Sequence, residues 1–140
     1  MRHGVTFHGD FALDDPSGMS PPRSTELGRW LVTKLRARGL EARLDGDGSP
    51  DYAVRVECIV DGVALDGLFG PYGQPGAFIG ALDESRSLLS RIFRHGNPEA
   101  LERLLRGLDA VLHGDARVRD IRWHERIPPS ADEAGADTPF

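Results

Sequence analysis

The chain predicts an α+β fold, a largely antiparallel sheet of about five to six strands with helices packed on one face. Three observations carry the prediction. Val5 to Leu13 and Tyr52 to Val60 alternate apolar with polar residues, the period of two expected of half-buried strands. Leu27, Leu31 and Leu35, and later Leu101, Leu104, Leu105, Leu108, Val111 and Leu112, recur at helical spacing. Asp61-Gly62 stands between two apolar runs, where both residues can take the positive φ of a tight hairpin turn.

Taken in order, Val5, Phe7, Gly9, Phe11 and Leu13 alternate with His8, Asp10 and Ala12 and predict the first strand. Asp14 to Gly18 supplies turn residues, and Ser20-Pro21-Pro22 places proline where a helix can begin, so one helix near the N-terminus is expected from about Pro22 to Arg38. Gly28 and Val32 widen its leucine face, and Gly39 ends it in a left-handed conformation. Leu40 to Leu44 is a short extended segment before the turn-rich Asp45 to Pro50. Tyr52 to Val60 is the clearest strand, paired through Asp61-Gly62 with Val63 to Phe69. Gly70 to Gly76 connects to a further strand, Ala77 to Leu82, which completes a meander.

Two helices are expected after the meander: a short one from Asp83 or Ser85 to Arg94, and a longer one opened by Asn97-Pro98 and closed by Gly114. Val118 to Trp123 is the expected last strand, with Val118, Asp120 and Arg122 on one side and Arg119, Ile121 and Trp123 on the other. Residues 1–127 are expected to form a single domain. Pro128 to Phe140, mainly Pro, Ser, Asp, Glu, Gly and Ala, is expected to be a disordered acidic tail.

With 140 residues the chain can bury about two thirds of its unfolded surface. Its apolar content of 39% excludes wholesale disorder, and no apolar run approaches the roughly 20 residues of a membrane span. Met1 to Asp10 lacks the charged start and apolar stretch of a signal peptide, which points to a cytoplasmic protein. Cys58, the sole cysteine, has no partner for an internal disulfide and lies in an apolar strand pattern, as a buried thiol in a reducing compartment does. Apart from Lys34 the basic residues are arginines, the bias of a GC-rich, bacterial genome.

Motifs that would carry chemistry are incomplete. His3, His8 and Asp10 offer ligand types that suit zinc or iron, but any two residues two apart on a strand share a face, so no metal or other cofactor is expected. Asp45 to Asp51 begins like a calcium loop and then places Pro50 and Val56 where the turn glycine and bidentate glutamate belong. Gly70 to Gly76 lacks the following lysine and helix start of a phosphate cradle. No nucleophile elbow frames a serine, and carboxylate pairs such as Asp14-Asp15 read as turn residues, so no catalytic residue is assigned. Trp30 and Trp123 are expected at the core boundary with their N–H groups at its rim.

Charge is distributed unevenly. From Glu41 to Glu84 there are nine acids and two bases, whereas Pro22 to Gly39 has five bases and one acid. An acidic sheet beside basic helices steers association with a basic protein surface and disfavours nucleic acid, which the net charge of -5 repels. The expectation is a small protein-binding module, an inhibitor such as a toxin-neutralising immunity protein or a phage anti-defence protein. It would occlude a basic site on a toxin or nuclease through Asp47, Glu57, Asp61, Asp66 and Tyr72. The alternative is a small enzyme or ligand-binding domain with a pocket between helices and sheet and His8, Asp10 or His124 as its polar group. A homodimeric subunit is a third option.

Overall fold

The computed structural model describes residues 2–19, 22–46, 49–84, 98–125 and 135–140. In chain order these form β1 (Gly4–Gly9), α1 (Thr25–Ala37), β2 (Glu41–Asp45), β3 (Val54–Val60), β4 (Val63–Pro71), β5 (Ala77–Glu84), α2 (Pro98–His113) and β6 (Val118–His124). The strands make one six-stranded sheet in the order β2-β3-β4-β5-β1-β6, antiparallel at every junction. The expected meander is β2 to β5. β1 lies beyond it and receives β6 on its far side.

The α+β class and the antiparallel sheet agree with the sequence reading; the helices differ in number and position. Among the described residues one helix precedes the meander and one follows it, in place of one and two. The helix expected from Asp83 or Ser85 to Arg94 lies outside the described residues except for Asp83 and Glu84. Those two extend β5 opposite Asp66 and Leu65, so ladder pairing replaces the expected helix cap.

α1 begins later than its prolines suggest because Ser24 is the N-cap. Its hydroxyl accepts the Leu27 N–H at 3.2 Å and donates to the Ala12 carbonyl at 2.7 Å, tying the helix start to the end of β1. Leu27, Leu31 and Leu35 then face a core with Val54, Val56, Leu65, Phe69 and Phe78 from the sheet and the leucines of α2. Gly28 lets α1 sit close to the sheet: a Cβ there would lie 2.7 Å from Leu44 Cδ1 and 3.0 Å from Val54 Cγ2.

Three local departures have physical causes. β1 stops at Gly9 rather than Leu13, because Phe11 folds back over the missing Gly9 side chain and packs on Trp30 and Phe78 at 5.1 and 5.8 Å. In β6 the register against β1 shifts between Thr6 and His8, and Asp120 takes φ +56, so a bulge breaks the alternation. Val118, Ile121 and Trp123 thereby share the core side, where the simple alternation separated Val118 from the other two. Finally, residues 135–140, expected to be loose, are held. Ala136 and Trp123 exchange main-chain hydrogen bonds at 2.8 and 2.9 Å, the Arg2 N–H donates to the Pro139 carbonyl at 2.7 Å, and the Arg106 guanidinium stacks over Phe140 at 4.5 Å.

Candidate functional site

Cross-strand register divides the sheet into two unlike faces. Leu44, Val54, Val56, Leu65, Phe69, Phe78, Leu82, Val5, Phe7 and Trp123 point toward α1 and α2. Their neighbours in sequence point the other way, onto a face that neither α1 nor α2 covers. In this face Arg43 stands opposite Glu57 and Glu57 opposite Asp66, one row across three strands. The adjoining row is Asp45, Arg55, Leu68 and Ala81. Ile59, opposite Ala64 and 41% exposed, adds apolar surface beside the first row.

Two arginines hold the row's charge. Arg43 Nη2 donates to Glu57 Oε2 at 3.0 Å, and the bond raises the Arg43 pKa further. Arg55 Nη2 lies 3.4 Å from Asp66 Oδ2, while the buried Arg55 Nε meets no acceptor among the described residues. Asp66 is only 12% exposed, so its charge is shielded from water and the nearby Arg55 guanidinium helps to offset the cost of burying it. The carboxylates act through the sheet as well: burial, and then Asp66 and Glu57, push the Cys58 thiol up to about 12. A cavity of about 580 Å³ wraps the β2 side of the face, lined by Arg36, Glu41, Ala42, Arg43, Glu57 and Ile59.

Only two of the expected partner-binding residues come together, Glu57 and Asp66. Asp47 lies outside the described residues. Asp61 sits at the tip of the β3–β4 hairpin and pairs with Arg103 of α2. Tyr72 follows the other end of β4, about 27 Å away at strand rise, where its N–H donates to the Ala77 carbonyl at 2.9 Å. Arg43, Arg55 and Ile59 are the residues sequence reading left out. Their alternation with Ala42, Val54 and Cys58 places them on the polar side, but their pairing depends on cross-strand register.

His8 and His124 lie on the open face at its other end, rather than between helices and sheet. Thr6 Oγ1 and His124 Nε2 are 2.9 Å apart and both residues are buried, which ties β1 to β6. His8 Nδ1 is 3.5 Å from Asp120 Oδ2. Asp10 lies past the end of β1, exposed, with its N–H on the Arg117 carbonyl. Among the described residues no three histidines, cysteines, aspartates or glutamates are grouped to hold a metal ion, and no helix is long and apolar enough to cross a membrane.

The remaining dense polar cluster is structural. Glu26 accepts the Ala12 N–H at 2.5 Å and Arg117 Nη2 at 2.8 Å, and these two bonds, in that order, hold its carboxyl below the usual range. Asp115 is lowered likewise, first by the Arg117 N–H at 2.9 Å and then by Trp30 Nε1 at 3.3 Å, with Lys34 at 3.8 Å. At Asp14 burial acts upward, but hydrogen bonds from Thr25 at 2.6 and 2.7 Å and the charge of Arg23 outweigh it. Together they clasp α1 to the ends of β1 and α2. No protein-family model, curated protein or solved structure matches the chain.

Proposed function

We propose that this chain is a protein-binding module of the inhibitor type, which docks the β2–β4 half of its open sheet face on a basic surface of another protein. The observation that supports this most is the direct opposition of Glu57 and Asp66 in a face that neither α1 nor α2 covers. Like charges directly across a ladder destabilise a sheet, and nothing in the core needs them there. Arg43 and Arg55 neutralise them in part, yet Glu41, Asp45, Glu57 and Asp66 leave the β2–β4 face with more carboxylates than guanidiniums. A basic partner is drawn to that net negative charge, and Ile59 and Leu68 supply apolar contact beside it.

The test is retention of proteins from host lysate on the immobilised chain, at low and moderate salt, with wild type and the Glu57→Gln/Asp66→Asn variant side by side. The reading expects a basic protein held by wild type in near-stoichiometric amount, weakened by salt, and lost from the folded variant. Equal retention by both, or none by wild type at low salt, contradicts it.

A further inference from the structure

The cavity of about 580 Å³ on the β2 side of the open face is lined differently from the acidic row beside it. Arg36 and Arg43 stand around it with Glu41 and Glu57, two guanidiniums and two carboxylates, so its formal charge cancels. Ile59, directly opposite Glu41 in the β2–β3 ladder, completes the lining and is 41% exposed. Both guanidiniums are anchored: Arg36 Nε donates to the Ala42 carbonyl at 2.7 Å, and Arg43 Nη2 to Glu57 Oε2 at 3.0 Å. The Arg43 side chain is still 66% exposed, and a planar guanidinium held at one edge keeps its flat faces for stacking.

Elsewhere in the molecule such groups take aromatic rings. Arg106 lies over Phe140 at 4.5 Å and Arg117 over Phe11 at 4.4 Å. Each indole N–H is in turn placed on a carboxylate, Trp30 on Asp115 at 3.3 Å and Trp123 on Asp109 at 2.8 Å. The cavity brings the same parts together at the surface: the Arg43 guanidinium, the exposed Glu41 carboxylate and apolar Ile59.

We propose that this cavity receives one aromatic side chain that carries a donor, tryptophan or tyrosine, from the basic partner, an inference that rests on the docking proposed above. The ring stacks on Arg43 and covers Ile59, and its N–H or O–H donates to Glu41. Stacking draws on the ring's quadrupole without adding charge to a site whose charges already cancel, and the body of the ring removes Ile59 from water. A leucine would cover Ile59 and leave the guanidinium and carboxylate unused. A lysine would meet two carboxylates and two guanidiniums, with little net gain. The volume lies within the roughly 300–1,000 Å³ of pockets that enclose small molecules, ample for one ring. Tryptophan and tyrosine are also the side chains that most often anchor protein interfaces.

The uncharged peptide Ac-Gly-Trp-Gly-NH2, titrated into the isotope-labelled full chain and followed by amide NMR, reads the cavity apart from the acidic row. It is expected to bind with a Kd on the order of 1 mM and to shift the main-chain amides of Glu41, Arg43, Glu57 and Ile59. Ac-Gly-Leu-Gly-NH2 and Ac-Gly-Lys-Gly-NH2 are expected to bind about threefold more weakly or less. Arg43→Gln, which keeps a donor for Glu57 and loses the cationic plane, is expected to weaken the tryptophan peptide about two- to fivefold. Glu41→Ala is expected to bring it to the level of Ac-Gly-Phe-Gly-NH2, whose ring has no donor. Both substituted residues are exposed, and unchanged amide spectra away from β2 and β3 establish that each variant folds. No saturable shift of these amides up to about 20 mM peptide overturns the proposal. So does a tryptophan peptide bound no more tightly than the leucine or lysine peptide, or one bound equally well by both variants. The peptide is uncharged, so its failure strikes the cavity alone: a basic protein retained with no peptide bound overturns the aromatic site and keeps the docking. Peptide bound with no basic protein retained keeps the aromatic site and overturns the docking.

Discussion

The two faces of the sheet are built by opposite rules. On the helix side, burial is nearly complete and contact is apolar, with Val5, Leu65 and Trp123 fully excluded from water. On the open side, the same strands carry a row of carboxylates held by arginines, with Ile59 partly in water. Apolar burial supplies most of a small domain's favourable folding free energy, whereas partly exposed ion pairs contribute about 0–1 kcal/mol each. Apolar burial and surface charge are thus placed on different sides of one sheet, and on the function proposed above substitutions on one side leave the other side's job largely untouched.

The largest effect that would sharpen this contrast is expected at Trp123. It is fully buried, its Nε1 donates to Asp109 at 2.8 Å, and it joins β6 to α2. Trp123→Ala is expected to cost about 3–5 kcal/mol in chemical denaturation; a loss under about 1 kcal/mol would mean that this corner is not part of the core. Cys58 probes the same side without a large substitution. Burial, with Asp66 and Glu57 behind it, keeps its thiol protonated to about 12, so at pH 8 it is expected to react with a thiol reagent only as fast as the fold opens. Rapid labelling of the native protein would break the contrast.

Acid acts at the clasp between the layers. The carboxyls of Asp14, Glu26 and Asp115 are lowered in the folded state, so the unfolded chain takes up protons first as pH falls. Their contribution is fully present above the ordinary carboxylate range and is lost as pH drops below about 4 through the folded values. Melting temperature is therefore expected to fall in that window, and less steeply in Glu26→Gln; an unchanged acid slope in the variant would remove Glu26 from the account. The smallest effect belongs to the open face, where Glu57→Gln is expected to change stability by about 1 kcal/mol or less.

Much of the helix-side face could be read from the sequence, because alternation and leucine spacing are local. Val54, Val56, Cys58 and Val60 announce their side by period alone, and Asp61-Gly62 forms its turn with φ of +52° and +78°. The open face was hidden for the reason that its pairs are not local. Arg43 meets Glu57 fourteen residues on only once β2 and β3 have found their register. The insertion of β1 between β5 and β6 leaves no mark on β1 itself, and the Asp120 bulge inverts the local pattern that would have assigned β6. Pro21 and Pro22 gave the start signal for α1, and the N-cap Ser24 two residues on was not read as one. In charge, the acidic bias of the strands was visible, but the arginines that quench part of it were counted rather than placed.

One face of the sheet is packed against α1 and α2 and the other is the docking face proposed above, and β4 carries two leucines, three residues apart, that test the division. Leu65 is fully buried on the helix side, whereas Leu68 is half-buried on the open face. Urea denaturation of Leu65→Ala and Leu68→Ala, measured together, is expected to show a loss of about 2–5 kcal/mol for the first and under about 1 kcal/mol for the second. Equal losses would mean that the open face is itself core, and would contradict the account.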